Sequence, residues 1–137
     1  MLATFFISTN WVENLDGVVS WAQIAEMSKG GMEFGSHSVT HPYLTTSEPD
    51  WLRAELEASK AALEEHTGKA VTALAYPFGL YDDTVMTAVR EAGYRTACTI
   101  EQGWTVNAGQ LLTLPRLWVY GWTTLGDFEA LLRGSGE

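Results

Sequence analysis

The chain has 137 residues, of which 46% are hydrophobic and 18% charged, a balance typical of one globular domain. Eight Lys and Arg residues against 17 Asp and Glu residues give a net charge of −9, which argues against non-specific binding to nucleic acid. No apolar stretch approaches the roughly 20 residues that a membrane-spanning helix needs, so no membrane segment is predicted.

The first elements in chain order are two strands separated by a helix. Residues 2–8 are predicted as a strand, because they are rich in β-branched and aromatic side chains. Ser20 and Gln23 then have the spacing of a capping box, which predicts a helix that ends at residues 30–31. Residues 32–36 are predicted as a second strand that leads into a polar turn.

A long amphipathic helix is predicted over residues 47–68. Ser47 and Asp50 are its predicted cap, Pro49 fits its first turn, and Gly68 is its predicted terminator. Its apolar face is predicted from helical spacing to consist of Leu52, Leu56, Ser59 and Leu63.

The second half continues the alternation. Strands are predicted over residues 71–76, 94–100 and 114–120, with a helix over residues 83–92 and a last helix beginning at Thr124. Alternating strands and helices indicate βαβ units and a mostly parallel α/β sheet or barrel. Ligands bind at the carboxyl ends of the strands in such folds.

Two of the three histidines, His37 and His41, stand four residues apart just after the second predicted strand. If residues 38–40 form one helical turn that ends before Pro42, both imidazoles project from the same side and can share a metal ion. Imidazole suits zinc, cobalt, nickel or iron, although a site needs a third protein ligand. An isolated pair of this spacing is more often two ordinary loop histidines; here the preceding strand, the small residues before His37 and Pro42 favour a metal clamp.

These motifs resemble those of a known family. Residues 33–42 are similar to the metal-binding histidine motif of the polysaccharide deacetylases, the NodB homology group of family-4 carbohydrate esterases. Residues 76–79 with 81–83 resemble the motif that forms one wall of the family's active-site groove. The likeness extends in the same order over essentially the whole chain, with further matches at residues 3–6, 91–94 and 114–116.

The resemblance implies a distorted (β/α) barrel and hydrolysis of N-acetyl, less often O-acetyl, groups on a polysaccharide such as an N-acetylglucosamine polymer. His37 and His41 would be two ligands of a divalent metal, with zinc expected first, and the backbone N–H of Phe78 would stabilise the oxyanion. The groove wall would be formed by the turn residues Tyr76, Pro77 and Gly79. Members of the family commonly work at the cell envelope or are secreted.

The family opens with a Thr-Phe-Asp-Asp-Gly motif that supplies the general base and the third metal ligand, and this sequence begins after that point. We therefore expect residues 1–137 to form a single, N-terminally truncated domain, an incomplete barrel that lacks its first strand and helix. Weak or no activity and self-association through an exposed barrel edge are predicted for it. Asp82 and Asp83 are predicted to cap a helix rather than to replace the missing pair, and His66 to be an ordinary residue at a helix end.

Two further residues are candidates for substrate binding. Arg116 supplies a cation near the groove or is a solvent-facing strand residue, and the sequence leaves both open. Trp122 is a candidate for stacking on a sugar ring, whereas packing is favoured for Trp118, Trp11 and Trp51. Two other functions stay open: a non-catalytic relative that binds a glycan or a protein, and a hydrolase of small cyclic amides on the same fold.

Overall fold

A computed structural model describes residues 2–104 and 107–134, in which five parallel strands form one open sheet. The strands are β1 (Thr4–Ile7), β2 (Glu33–Ser36), β3 (Ala73–Ala75), β4 (Thr96–Gln102) and β5 (Leu114–Arg116). They are hydrogen-bonded in sequence order, without the reversal of order that marks a doubly wound sheet. For this strand order, the right-handed connection usual between parallel strands puts successive helices on one face of the sheet, as in a (β/α) barrel. The predicted parallel α/β class is confirmed.

The helices are α1 (Trp21–Lys29), α2 (Pro49–Thr67), α3 (Asp83–Glu91) and α4 (Leu125–Arg133). The predicted capping box of α1 is present, with the Ser20 hydroxyl accepting from the Gln23 N–H and the Gln23 side chain accepting from the Ser20 N–H. Gly68 ends α2 in the left-handed conformation, as predicted. Asp82 caps α3 by accepting from the Val85 N–H, so the structural role expected of this residue is confirmed.

The predicted cap of α2 is wrong by one residue. Because the helix begins at Pro49, Glu48 is the N-cap, and its side chain makes no capping hydrogen bond. The Ser47 hydroxyl instead donates to the Tyr43 carbonyl oxygen at 3.1 Å, so it is turned toward the preceding turn and away from the helix N–H groups.

The core lies between the sheet and helices α1 to α3. The predicted apolar face of α2 is confirmed, since Leu52, Leu56, Ser59 and Leu63 are all buried. The same holds for Val85 and Val89 of α3. In contrast, α4 buries no residue. Within the part of the chain that the structure describes, no helix combines the length and the apolar character needed to cross a membrane.

The last strand is shorter than predicted. Residues 117–120 do not continue β5, which ends at Arg116. Pairing with β4 is irregular there, because Leu114 pairs with Cys98 but Arg116 pairs with Gln102. Pro115, in the middle of the strand, has no N–H to donate to the ladder, which accounts for a short and irregular edge strand.

Candidate functional site

Several of the functional residues predicted from the sequence lie at the carboxyl edge of the sheet. His37 directly follows β2, a 3-10 turn over Pro77–Gly79 follows β3, and Arg116 ends β5. Parallel neighbours end at the same edge, so residues far apart in the sequence converge here.

The imidazole rings of His37 and His41 are in contact. Their centroids are 4.6 Å apart, with the rings at 75° to each other. The segment between them is not the predicted helical turn, because Ser38 and His41 have left-handed backbones, with φ of 65° and 60°. The Ser38 hydroxyl accepts from the His41 N–H at 3.0 Å, and this local bond closes the turn in place of a helical one.

His37 is fixed by a backbone carbonyl of the next strand. Its Nδ1 lies 2.6 Å from the Ala75 carbonyl oxygen. A carbonyl can only accept, so Nδ1 is the donor and Nε2 is left for a ligand, as in many metal-bound histidines. Burial lowers the pKa of His37, the bond to Ala75 opposes that shift, and the charges of His41 and Arg116 lower the pKa further. The neutral imidazole that a metal requires is therefore favoured.

Aromatic side chains surround His41. Trp11 stacks on its ring at a centroid distance of 5.3 Å, and Phe78 meets it edge-on at 4.5 Å. Tyr43 stacks on Phe78 at 4.3 Å. Trp11, Phe78 and Tyr43 are 39%, 43% and 53% exposed, so the site is open to solvent on this side. Sequence reasoning gave Trp11 a packing role and missed this contact, although its position just past β1 was a usable signal.

Glu55 is a second residue that sequence reasoning missed. It is 3% exposed on α2, and its carboxylate accepts from the Val39 N–H, the Thr40 N–H and the Thr40 hydroxyl at 2.8, 2.9 and 2.7 Å. The signal was its helical spacing, which puts a charged residue on the apolar face between Leu52 and Leu56.

In the turn after β3, Phe78 is the exposed residue. It has a left-handed backbone, with φ of 58°, whereas Tyr76, Pro77 and Gly79 are buried. The Tyr76 hydroxyl donates to the Leu112 carbonyl oxygen at 3.0 Å, and burial raises the pKa of Tyr76. A side chain at Gly79 would approach Ile100 within 2.4 Å, so the turn requires glycine there. The groove-wall and oxyanion roles of this turn remain predictions.

Arg116 and Trp122 occupy different surroundings. The Arg116 Nε donates to the Thr99 carbonyl oxygen at 2.9 Å, and its charge is near enough to lower the pKa of His37. Trp122 is 79% exposed and stacks on Tyr120 at 4.8 Å. The Trp118 indole donates to the Ile100 carbonyl oxygen, consistent with a packing role. Binding of substrate by Arg116 and Trp122 stays a prediction.

The donor chemistry of the histidine pair fits two positions of a transition-metal site. Two imidazoles on one tetrahedral zinc have ring centroids roughly 5 Å apart, close to the 4.6 Å observed between His37 and His41. Across residues 2–104 and 107–134, however, no group of three or more His, Cys, Asp or Glu side chains is placed to hold a metal. His66 lies elsewhere and stacks on Trp21.

This parallel α/β sheet, with a histidine pair and a proline turn at its carboxyl edge, has the fold of solved polysaccharide deacetylase structures of the NodB type. A sequence model of the polysaccharide deacetylase family matches residues 1–97, which include both histidines and the turn at Phe78. The chain belongs to the polysaccharide deacetylase family.

Three known proteins illustrate the relationship. The deacetylase PplD of Streptococcus pyogenes, solved with acetate, is 28% identical with a TM-score of 0.87 over 93% of this chain and 57% of its own. A polysaccharide deacetylase of Bacillus cereus is 32% identical with a TM-score of 0.85 over 96% and 42%. The peptidoglycan-N-acetylmuramic acid deacetylase PdaA of Bacillus subtilis is 30% identical over 68% of this chain and 34% of its own. The chain thus spans about a third of the length of the curated relatives it matches.

Proposed function

We propose that this chain carries part of the metal centre of a hydrolase that removes N-acetyl, or less often O-acetyl, groups from a polysaccharide. The contact between the imidazoles of His37 and His41 at the carboxyl edge carries the proposal, together with membership of the deacetylase family. Zinc is the first candidate metal, with cobalt, nickel and iron as alternatives. An acetylated polymer such as one of N-acetylglucosamine is the proposed substrate.

The chain's own residues have distinct roles in this proposal. His37 and His41 hold the metal, with the Ala75 carbonyl fixing the tautomer of His37. The Phe78 N–H is assigned to the oxyanion that develops on the acetyl group. When bound, a divalent metal in such a site polarises the acetyl carbonyl and lowers the pKa of water.

The exposed aromatic rings beside the histidines support a sugar polymer as substrate. Trp11, Phe78 and Tyr43 form an open apolar rim, and the faces of sugar rings pack on such surfaces. A small cyclic amide needs a pocket that encloses most of its surface, which an open rim does not provide.

We also propose that the 137-residue chain by itself has weak or no activity. Among the described residues, no third side chain is placed with the two histidines to complete a metal site. In particular, no carboxylate lies in such a group, where it could act as a ligand or as the general base. This observation favours a second candidate function, in which the chain binds a glycan or a protein without turning it over.

Acetate release from N-acetylglucosamine oligomers in the presence of zinc tests the proposal, with binding of the same oligomers measured in parallel. We expect binding with little acetate from the purified chain, and less still from a His37→Ala, His41→Ala variant. Rapid acetate release that persists in the double variant would overturn the assigned role of the histidines. Oligomer binding with no acetate release under any metal would favour the non-catalytic alternative.

A further inference from the structure

The loop that carries the two histidines has every backbone N–H bound. The five donors of residues 37–41 go, in order, to the Ile7 carbonyl, the Ser36 hydroxyl, Glu55, Glu55 again and the Ser38 hydroxyl. Buried backbone donors need partners, and in this loop with two left-handed residues, side chains accept from four of the five N–H groups.

Three backbone carbonyl oxygens of this loop, those of residues 37, 38 and 39, also accept hydrogen bonds. Their donors come from the segment after β1 and are, in order, the Ser8 hydroxyl, the Thr9 N–H and the Asn10 N–H. One side of the loop is therefore held by the strand end that precedes Trp11, and the other side by α2.

Glu55 is the main contact from α2. It binds two consecutive N–H groups and one hydroxyl of the loop, and it is nearly fully buried. Neither ion pair of the described residues, Arg53 with Asp50 and Arg133 with Glu129, includes it. Placing a carboxylate in a core without a counterion is costly unless hydrogen bonds replace its solvation. The loop donors provide that replacement, so the carboxylate and the loop conformation depend on each other.

One turn further along α2, Ser59 adds a second contact. Its hydroxyl lies 2.7 Å from the Ser36 hydroxyl, which accepts from the Ser38 N–H. The contacts from Ser59, through Ser36, and from Glu55 therefore hold the residues on either side of Ser38. The left-handed backbone of Ser38 is unfavourable by itself.

We infer that Glu55 is a positioning residue, whose carboxylate holds the loop of residues 38–41 in the conformation that brings the His41 imidazole onto that of His37. The inference deepens the proposed function, because it names the residue on which the geometry of the proposed metal ligands depends. Glu55 touches neither a metal nor a substrate in this role, and it acts through the Val39 and Thr40 N–H groups.

The test compares a Glu55→Leu variant with wild type and with a Glu57→Leu control, which makes the same change at an exposed carboxylate of the same helix. Leucine has a similar volume and no acceptor, whereas glutamine would keep a carbonyl oxygen for the Val39 and Thr40 N–H groups. Nuclear magnetic resonance on the metal-free proteins follows the contact between the two imidazoles and the exchange protection of the Val39 and Thr40 amides. In Glu55→Leu we expect the imidazole contact and both amide protections to be lost while the amides of α2 and the sheet stay protected. The control should match wild type. A Thr40→Val variant, which removes a single donor to Glu55, covers the case in which Glu55→Leu fails to fold, and it should loosen the loop partially.

Zinc titration of the same proteins gives the second result. We expect affinity to fall about 10- to 100-fold in Glu55→Leu, the range seen when outer-shell partners of metal ligands are removed. A folded Glu55→Leu variant with the imidazole contact and amide protection of wild type would overturn the inference. Loss of that contact in a protein whose wild type binds no zinc would support the inference while contradicting the proposed function.

Discussion

At the scale of single residues, the site depends on contacts that join distant parts of the sequence. The Nδ1 of His37 meets the Ala75 carbonyl 38 residues away, and the Ser8 hydroxyl meets the His37 carbonyl 29 residues away. A pattern in the sequence identified the two histidines, because their spacing and their neighbours are local. It did not identify the contacts of Trp11 and Glu55 with the loop, because these contacts arise only when β1 and α2 pack beside it.

Trp11 provides a prediction at this scale. Replacing it with alanine removes the ring stacked on His41, and aromatic pairs of this kind contribute about 0.5–1.5 kcal/mol beyond their buried area. We expect the His41 ring protons to lose the ring-current shift from the indole, and zinc affinity to fall about 2- to 10-fold.

The control for this prediction is Trp51→Ala, which removes an indole that is 54% exposed on α2. Proton spectra of the imidazoles and zinc titrations check both variants. Identical His41 resonances in wild type and Trp11→Ala would show that the stacking does not exist in solution.

At the scale of elements, local rules predicted most of the fold. The capping box at Ser20, the start of the last helix at Thr124 and the terminator Gly68 were predicted from the sequence, because such signals lie within a few residues of the helix end. The errors have local causes as well. Pro49 moved the start of α2 past Ser47, and Pro115 shortened β5.

The two serines give a matched prediction at this scale. Ser20→Ala removes the hydroxyl that accepts from the Gln23 N–H and so breaks the capping box of α1. Loss of such a cap lowers the free energy of unfolding by about 1 kcal/mol. Ser47→Ala removes a surface hydrogen bond to the Tyr43 carbonyl oxygen and no cap, so we expect it to lower the free energy of unfolding by less than about 0.5 kcal/mol. Urea unfolding of both variants measures the difference, and equal losses of stability would contradict the assigned caps.

At the scale of the whole molecule, the sequential order of parallel strands leaves two edges, at β1 and at β5. Leu2 and Phe5 are 72% and 38% exposed beside the first of them. Exposed apolar side chains on an unpaired strand favour association, so the self-association predicted from the sequence would begin at this edge. It stays a prediction, as do the identity of the metal and the polysaccharide.

The family and the α/β architecture could be predicted from the sequence, because the motifs at residues 33–42 and 76–79 occur in order along one chain. The position of the site could be predicted from the topology, since the loops that follow parallel strands all lie at the same edge of the sheet. The conformation of the histidine loop could not be predicted. Its left-handed residues Ser38 and His41 are stabilised by hydrogen bonds to side chains from other elements, which the local pattern does not contain.

The central claim is that His37 and His41 bind one divalent metal together. Equilibrium dialysis against a series of free zinc concentrations tests it in wild type and in the His37→Ala, His41→Ala variant, with circular dichroism confirming that both are folded. At saturating zinc we predict one more zinc per chain in wild type than in the variant, since two imidazoles in contact are the shared donors. The affinity should be modest, because no third ligand joins them among the described residues. Equal zinc content in the two proteins, or none in wild type, would contradict the claim.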